Sequence, residues 1–309
     1  MTNQKKADAA LVMVTVFWGA SYVMSDYALN FLHPFTLCAI RFLIAFALAY
    51  PVFYRKMRPV SRHTLRYAFL IGSLLTGVYA FTNFGILHTS LTNVGFIVAL
   101  PVIFTPLINF FFRKIRPARK MILVLILATT GMAMMTLNER FVPALGDLLC
   151  LVAALCYAGD IVVTEIAVQS GRVNALQLGV FVLGTVAGLM TLLSLFFGER
   201  AEVIDPDVWL VVFLLAVFST GFAFIAQSVA QQYTSSTHVG LIFTLEPVFA
   251  AGAAYWIVGE ILQPRAYFGA VLMLIAVLWA EIDLTGWVQR RKHRMTPEAS
   301  PETERDEAG

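Results

Sequence analysis

Two carboxylic acids stand inside apolar stretches of the chain and are the first candidates for chemistry. Asp160 follows Tyr157 by three residues and precedes Thr164 by four, so the three side chains share one face of a helix. Glu246 immediately precedes Pro247 in another apolar stretch. An ionisable group inside a membrane is costly and requires a partner or a use. We therefore expect Glu246 or Asp160 to bind the amino group of a substrate or to carry a proton. A carboxyl group that faces a small internal water pocket is the alternative.

Further polar and aromatic side chains recur at helical spacing in other apolar stretches. Together they can line an aqueous cavity, in which aromatic rings give shape and amides fix the polar groups of a ligand. Hydrogen bonding between packed helices is the alternative use of such residues. The candidate substrate-binding set is Trp18, Ser21, Tyr22, Tyr79, Asn83, Tyr157, Asp160, Gln227 and Glu246.

A basic and an acidic residue stand at similar depth in the first two apolar stretches. Arg41 would lie about 10 Å inside the outer end of the second helix, at the usual rise of a helix. Asp26 would lie at similar depth on the preceding antiparallel helix. We predict an ion pair between them that fixes the fold, with recognition of a substrate carboxylate by Arg41 as the alternative.

The short motifs of common enzymes are absent from the sequence. It contains no HExxH or CxxC motif, no phosphate-binding glycine-rich loop with lysine, and no GxSxG motif. We therefore predict that the protein is not an enzyme and that it uses no cofactor and no metal. No nucleic-acid partner is predicted either.

The composition indicates that lipid is the solvent of most of the chain. Apolar residues make up 59% of its 309 residues, charged residues only 13%, and the mean hydropathy is +0.77. A soluble protein of this size needs a larger charged surface. Apolar windows long enough to cross about 30 Å of hydrocarbon predict ten helices, near 9–31, 34–54, 65–86, 91–112, 120–138, 144–167, 175–197, 207–230, 237–258 and 265–284.

The distribution of basic residues predicts the orientation of these helices. Of the 22 Lys and Arg residues, only Arg140, Arg200 and Arg265 fall in the loops of one side. Basic loops stay in the cytoplasm, so both termini are predicted to be cytoplasmic, in an inner membrane. The polar segment 289–309 is predicted to be a disordered cytoplasmic tail.

An internal repeat divides the predicted helices into two groups of five. A shift of 145 residues aligns Thr89–Leu100 with Thr234–Leu245, and seven of the twelve positions are identical. Pro101 and Pro247 follow these segments, and we expect them to act as hinges because proline bends a helix. Five is an odd number, so the units 1–138 and 139–288 are predicted to be inverted relative to each other. Such halves can expose a central site to each side of the membrane in turn.

Several short motifs carry a resemblance to a known family. They are Phe17–Ser21, Pro34, Arg41 with Phe42, the two repeated segments with their prolines, and Trp256–Glu260. With these motifs the chain resembles EamA-type members of the drug/metabolite transporter superfamily. One departure is that Phe112-Arg113-Lys114 stands where such proteins often carry Gly-Glu after the fourth helix.

The resemblance implies a membrane carrier with two five-helix units. The sequence is therefore interpreted as an all-α membrane protein and a secondary active transporter. It would export or exchange small polar metabolites, amino acids among them, by alternating access. Its partners would be the substrate, the lipid bilayer and protons. A channel or scaffold without transport activity, or a lipid-modifying membrane enzyme, is the alternative.

Overall fold

The computed structural model describes residues 2–86, 88, 97–136, 145–199, 205–259, 264–265 and 267–279. In these residues the secondary structure is helical, without β-strands. The helices are α1 (Asn3–Leu29), α2 (Pro34–Val52), α3 (Arg62–Ile86), α4 (Pro101–Arg113), α5 (Arg119–Thr136), α6 (Leu145–Gln169), α7 (Ala175–Phe196), α8 (Pro206–Ala230), α9 (Ser236–Phe243), α10 (Glu246–Val258) and α11 (Tyr267–Trp279).

Seven stretches of the described chain are long and apolar enough to cross a membrane. They are α1, α2, α3, α6, α7, α8 and the combined stretch Ser236–Ile257, while α4 and α11 are shorter apolar helices. The all-helical fold predicted from composition is confirmed. The count of ten and the inversion of the two units stay predictions, and residues 89–96, Glu260 and the tail 289–309 lie outside the described residues.

Helix α1 is longer at its start than the apolar pattern predicts. It begins at Asn3, because the side chain of Thr2 caps it by accepting a hydrogen bond from the backbone N–H of Lys5 at 3.4 Å. Its polar first turns carry no hydrophobic signal, which is why the sequence placed the start near residue 9.

Helices α2 and α7 are antiparallel neighbours joined by hydrogen bonds at both ends. The Oε2 atom of Glu199 accepts from the backbone N–H and the hydroxyl of Thr36, at 2.8 and 3.0 Å, just inside the start of α2. At the other end, the Nε2 atom of Gln177 donates to the carbonyls of Lys56 and Pro59 at 2.9 and 3.1 Å. A carboxylate at the start of a helix is also favoured by the helix dipole.

Small residues allow the helices of the two halves to approach closely. Helix α1 packs against α8 and α10, and α3 packs against α6 and α7. A Cβ atom on Gly19 of α1 would come within 2.6 Å of the backbone nitrogen of Ala250 in α10, and one on Gly72 of α3 would meet Thr185 of α7 at 2.6 Å. Close backbone contact is a main source of helix association in lipid.

Two irregular helical segments lie near the middle of the fold. Residues Leu215–Phe222 of α8 form a π-helix, a feature that is rare and often found at functional sites. A turn at Thr244 and Leu245 separates α9 from α10 directly before Glu246 and Pro247. Pro247 has no N–H to donate to the preceding turn, which accounts for the break.

The turn before Pro101 repeats the hydrogen bonds of the turn before Pro247. The carbonyl of Leu100 accepts from the N–H groups of residues 103 and 104, at 2.9 and 3.1 Å, and its own N–H donates to residue 97 at 3.1 Å. The carbonyl of Leu245 accepts from residues 248 and 249, at 3.0 and 3.1 Å, and its N–H donates to residue 242 at 3.0 Å. Each position differs by the same 145 residues as the sequence repeat.

Candidate functional site

Three tyrosines lie in the neighbourhood of the Glu246 carboxyl group. Tyr22 of α1, Tyr79 of α3 and Tyr157 of α6 all interact electrostatically with this carboxyl, and the hydroxyl of Tyr22 lies beside it. Glu246 is partly exposed and Tyr22 is 40% exposed, although helices α1, α3, α6 and α10 stand around them. Tyr79 is also partly exposed, whereas Tyr157 is buried at 8%. The accessible surfaces of Glu246, Tyr22 and Tyr79 leave room beside the carboxyl group, and we call this space the chamber.

Trp18 lies at one side of this chamber as a buried, packed side chain. Its indole Nε1 donates to the carbonyl of Ser219 in α8 at 2.9 Å, and the residue is 5% exposed. Its ring lies 4.9 Å from the ring of Phe243 and 6.1 Å from that of Tyr157, between centroids. Ser21, one turn further along α1, donates to the carbonyl of Trp18 at 2.7 Å and is partly exposed.

Asp160 is buried in contacts between helices. It is 2% exposed, and its Oδ2 accepts from the Nε2 atom of Gln227 in α8 at 3.4 Å. One turn later in α8, Gln231 donates to the carbonyl of Ile161 at 3.0 Å. These two bonds match the alternative of hydrogen bonding between packed helices, whereas Glu246 is open to the chamber.

The predicted ion pair between Arg41 and Asp26 is not formed. Arg41 is 4% exposed, and its Nε and Nη2 atoms donate to the hydroxyls of Thr220 and Ser219 at 2.8 and 3.1 Å. Asp26 is exposed on α1. The π-helix explains the difference, because it presents two adjacent hydroxyl groups toward α2, and both are themselves bonded to the carbonyl of Leu215.

Arg41 also joins the tyrosine group on the side of α3. Its guanidinium carbon lies 5.4 Å from the centre of the Tyr79 ring, a cation–π distance. Asn83, one turn along α3, is partly exposed and its Nδ2 approaches the sulfur of Cys38 at 3.8 Å. Seven of the nine candidate residues thus lie on the helices around the chamber, whereas Asp160 and Gln227 are packed against each other between α6 and α8.

A polar network that the sequence did not predict joins α4, α6 and α9. It lies toward the end of the protein that carries the N-terminus of α1. Glu165 of α6 is 5% exposed, and its Oε2 accepts from Arg113 of α4 at 2.9 Å and from the backbone N–H of Ser236 at 3.0 Å. Asn109 accepts from Arg113 at 3.1 Å and donates to the hydroxyl of Ser236 at 2.8 Å. Asn109 and Arg113 are one helical turn apart, and this spacing could have indicated from the sequence that they share a face of α4.

An acidic and an imidazole side chain add a second contact to this end. Asp8 of α1 and His238 of α9 are both buried, and their Oδ1 and Nε2 atoms are 3.3 Å apart. With the network around Glu165, this contact joins α1, α4, α6 and α9 near the end that carries the N-terminus of α1. In the described part of the chain, no group of three or more His, Cys, Asp or Glu side chains has an arrangement that could hold a metal ion.

Comparison with known proteins agrees with this architecture. The model of the EamA-like transporter family matches residues 5–137 and, a second time, residues 144–281. Two proteins of Archaeoglobus fulgidus, each described as an uncharacterized transporter, are similar to the chain. One is 29% identical over 272 residues, covering 88% of this chain and 84% of the relative. The other is 24% identical over 266 residues, covering 82% and 90%.

A solved crystal structure has the same fold. It aligns with a TM-score of 0.77 at 17% identity, over 90% of this chain and 97% of the other, and shows similarity of fold alone. The assignment to a family does not depend on that similarity of fold, because the family model itself matches most of the chain. The chain belongs to the EamA-like transporter family and is a multi-pass membrane transporter.

Proposed function

We propose that the protein is a secondary active transporter that exports or exchanges small polar metabolites, amino acids among them. The observation that carries the proposal is the partly exposed carboxyl of Glu246, which is hydrogen-bonded to Tyr22 and interacts electrostatically with Tyr79 and Tyr157. Phenol groups and a carboxylate offer hydrogen bonds and one negative charge, which suit a small molecule with an amino group. An uncharged or purely apolar substrate would leave these groups without partners.

Alternating access by two inverted five-helix units, 1–138 and 139–288, is the proposed mechanism. The matching turns before Pro101 and Pro247 support it, because each supplies a helix break at the same point of its unit. The helix break before Glu246 stands next to the chamber, so bending there would change the wall of the binding site. Pro101 and Pro247 are the proposed hinges.

The proposed location is the cytoplasmic membrane, with ten helices and both termini in the cytoplasm. The basic loops support this orientation. The chamber then faces the outside, and the network of Glu165 and Arg113 closes the cytoplasmic side. We assign this arrangement to the outward-facing half of a transport cycle.

In this cycle Glu246 binds the amino group of the substrate or exchanges it for a proton. Asp160 has a supporting role, because Gln227 already bonds to it and it is 2% exposed. Removing the charge of Glu246 should therefore abolish flux, whereas removing that of Asp160 should slow it. The third carboxylate to compare is Asp207, which is exposed at the start of α8 and serves as the matched control.

The test is flux in proteoliposomes loaded with a mixture of metabolites and analysed by mass spectrometry. The parent protein is expected to give saturable, competitive flux that changes when a pH gradient is collapsed. Glu246→Gln is expected to lose it and Asp207→Asn to keep it. Full proton-dependent flux in both Glu246→Gln and Asp160→Asn would remove the proposed role of these carboxyl groups. Flux without saturation would favour a channel, and binding without turnover would favour a scaffold.

A further inference from the structure

An apolar groove runs along the outside of the helix bundle between α1, α2 and α8. It encloses about 680 Å³ and is open on one side. Small side chains create it where larger ones would fill the gap between the helices. The residues that form its floor are Ala45, Ala49, Ala216, Gly221, Ala226 and Ala230.

The groove has one polar end and one apolar end. Lys6 and Asn3 of α1 line the first end, and both are exposed. From Ala230 to Ala216 the groove follows α8 for about 20 Å, at 1.5 Å per residue. Half of the hydrocarbon layer is about 15 Å thick, so the groove extends from one membrane surface past the bilayer midplane.

We propose that this groove is a binding site for an anionic phospholipid of the cytoplasmic leaflet. One acyl chain lies among the alanines, and the phosphate of the headgroup meets the ammonium of Lys6. Charge complementarity selects this occupant, because the only end of the groove at headgroup depth presents a cation and an amide. A second copy of the chain would have to bury Lys6 against apolar side chains, which costs free energy.

The bound lipid would also touch the segment that holds Arg41. Ala216, Val217 and Gly221 line the groove and belong to the π-helix, whose Ser219 and Thr220 accept hydrogen bonds from Arg41 on the other side. An acyl chain in the groove therefore packs against the back of the contact between α2 and α8. Lipid binding in the groove does not require that the protein transports the proposed substrates.

The test measures lipid binding, not flux, so it can fail or succeed separately from the proposed function. The purified full-length protein is titrated with phosphatidylglycerol or phosphatidylcholine, and bound lipid is counted by native mass spectrometry. Lys6→Gln is expected to weaken phosphatidylglycerol binding about fivefold, the usual effect of one basic residue at an anionic lipid surface. It is expected to weaken phosphatidylcholine binding less, because the choline group offsets the charge of the phosphate. Lys5→Gln, an exposed neighbour that does not line the groove, is the matched control and is expected to have no effect.

A second variant tests the apolar part of the groove. Ala226→Phe places a ring in its path and is expected to abolish the retention of both lipids. Equal effects of Lys5→Gln and Lys6→Gln, or unchanged lipid retention by a folded Ala226→Phe variant, would overturn the proposal. If Ala226→Phe changes the fraction of dimer but still retains lipid, a second copy of the chain occupies the groove, and this result would also overturn the proposal. Lys6 is exposed, so its variant decides the question even where Ala226→Phe does not fold.

Discussion

The Glu165 carboxylate is expected to hold the cytoplasmic side of the transporter closed. In the structure it accepts hydrogen bonds from the guanidinium of Arg113 at 2.9 Å and from the backbone N–H of Ser236 at 3.0 Å. It therefore connects α4, α6 and α9. In the proposed transport cycle these helices separate when the cytoplasmic side opens. Bonds that exist in only one of two states shift the equilibrium between them by their own free energy. Glu165→Gln is therefore expected to favour the inward-open state.

The magnitude follows from which bond the amide can keep. Its oxygen can still accept from Ser236, but the charge that pairs with Arg113 is lost. A hydrogen bond to a charged partner contributes about 1.5–3 kcal/mol. Glu165 is buried and Arg113 is partly exposed, with side-chain exposures of 7% and 27%, so we take a value in the lower half of this range. We expect a loss of about 2 kcal/mol, which corresponds to a change of about thirtyfold in the ratio of open to closed protein.

The assay is the rate at which a membrane-impermeant maleimide reaches a cysteine from the cytoplasmic side. Thr105 of α4 is fully buried above the network and is a suitable reporter as Thr105→Cys, in a background without the three native cysteines. In inside-out vesicles, Glu165→Gln is expected to raise the modification rate by about the same thirtyfold. Glu199→Gln makes the same chemical change at the start of α2 and is the matched control.

Two results would refute this reasoning. One is a modification rate in Glu165→Gln equal to that of the parent protein, which would mean that the network does not differ between the two states. The other is an equal increase in Glu199→Gln, which would indicate general loosening rather than opening of one side. Restoration of the slow rate by the exchanged pair Arg113→Glu with Glu165→Arg would support the ion pair as the cause.

Three further predictions follow from contacts elsewhere in the protein. Arg41→Lys cannot keep two hydrogen bonds from one planar group, so we expect about 2 kcal/mol lower stability in detergent, with no change in Asp26→Asn, both measured by thermal unfolding. Gly19→Ala forces α1 away from α10 and is expected to cost about 1–3 kcal/mol, whereas Gly188→Ala, which has nothing within 4 Å of an added Cβ, should not lower the melting temperature, because alanine is the better helix former. Pro247→Ala is expected to lower the transport rate without loss of binding, because a continuous helix bends less readily; equal rates in flux assays would refute the hinge.

Much of the fold could be read from the sequence because lipid imposes a simple rule. Every backbone group in a membrane must be bonded internally, so long apolar stretches have to be helices. The composition therefore predicted the all-α fold, and charge and proline marked most helix ends, as at Pro34. The start of α1 was misplaced because its first turns are polar and are held by the Thr2 cap, which is a local hydrogen bond and not a hydrophobic pattern.

The site was only partly predictable, because sequence gives the depth of a side chain but not its neighbour. Depth and residue type made Tyr22 and Glu246 candidates, and the structure brings their side chains together. Their role in binding a substrate stays a prediction. Depth also suggested Asp26 as the partner of Arg41, yet the π-helix of α8 supplies two hydroxyls instead. Glu165 was passed over because an acidic residue near the end of an apolar stretch looks like an interfacial residue.

The two units contribute unequally to the chamber, and this asymmetry limits the charge that can be transported. Both proline turns have the same backbone hydrogen bonds, but Glu246 precedes Pro247 whereas Leu100 precedes Pro101. Only one of the two breaks therefore brings a carboxylate to the chamber, and Asp160, which is buried between α6 and α8, is already bonded. We expect one positive charge, from an amino group or a proton, to be bound per cycle. Current recorded from proteoliposomes on a solid support, divided by substrate flux, should not exceed one charge per substrate. Glu246→Gln should show neither flux nor current. Two charges per substrate would require a second carboxylate to open to the chamber and would contradict the assignment of Asp160 to helix packing.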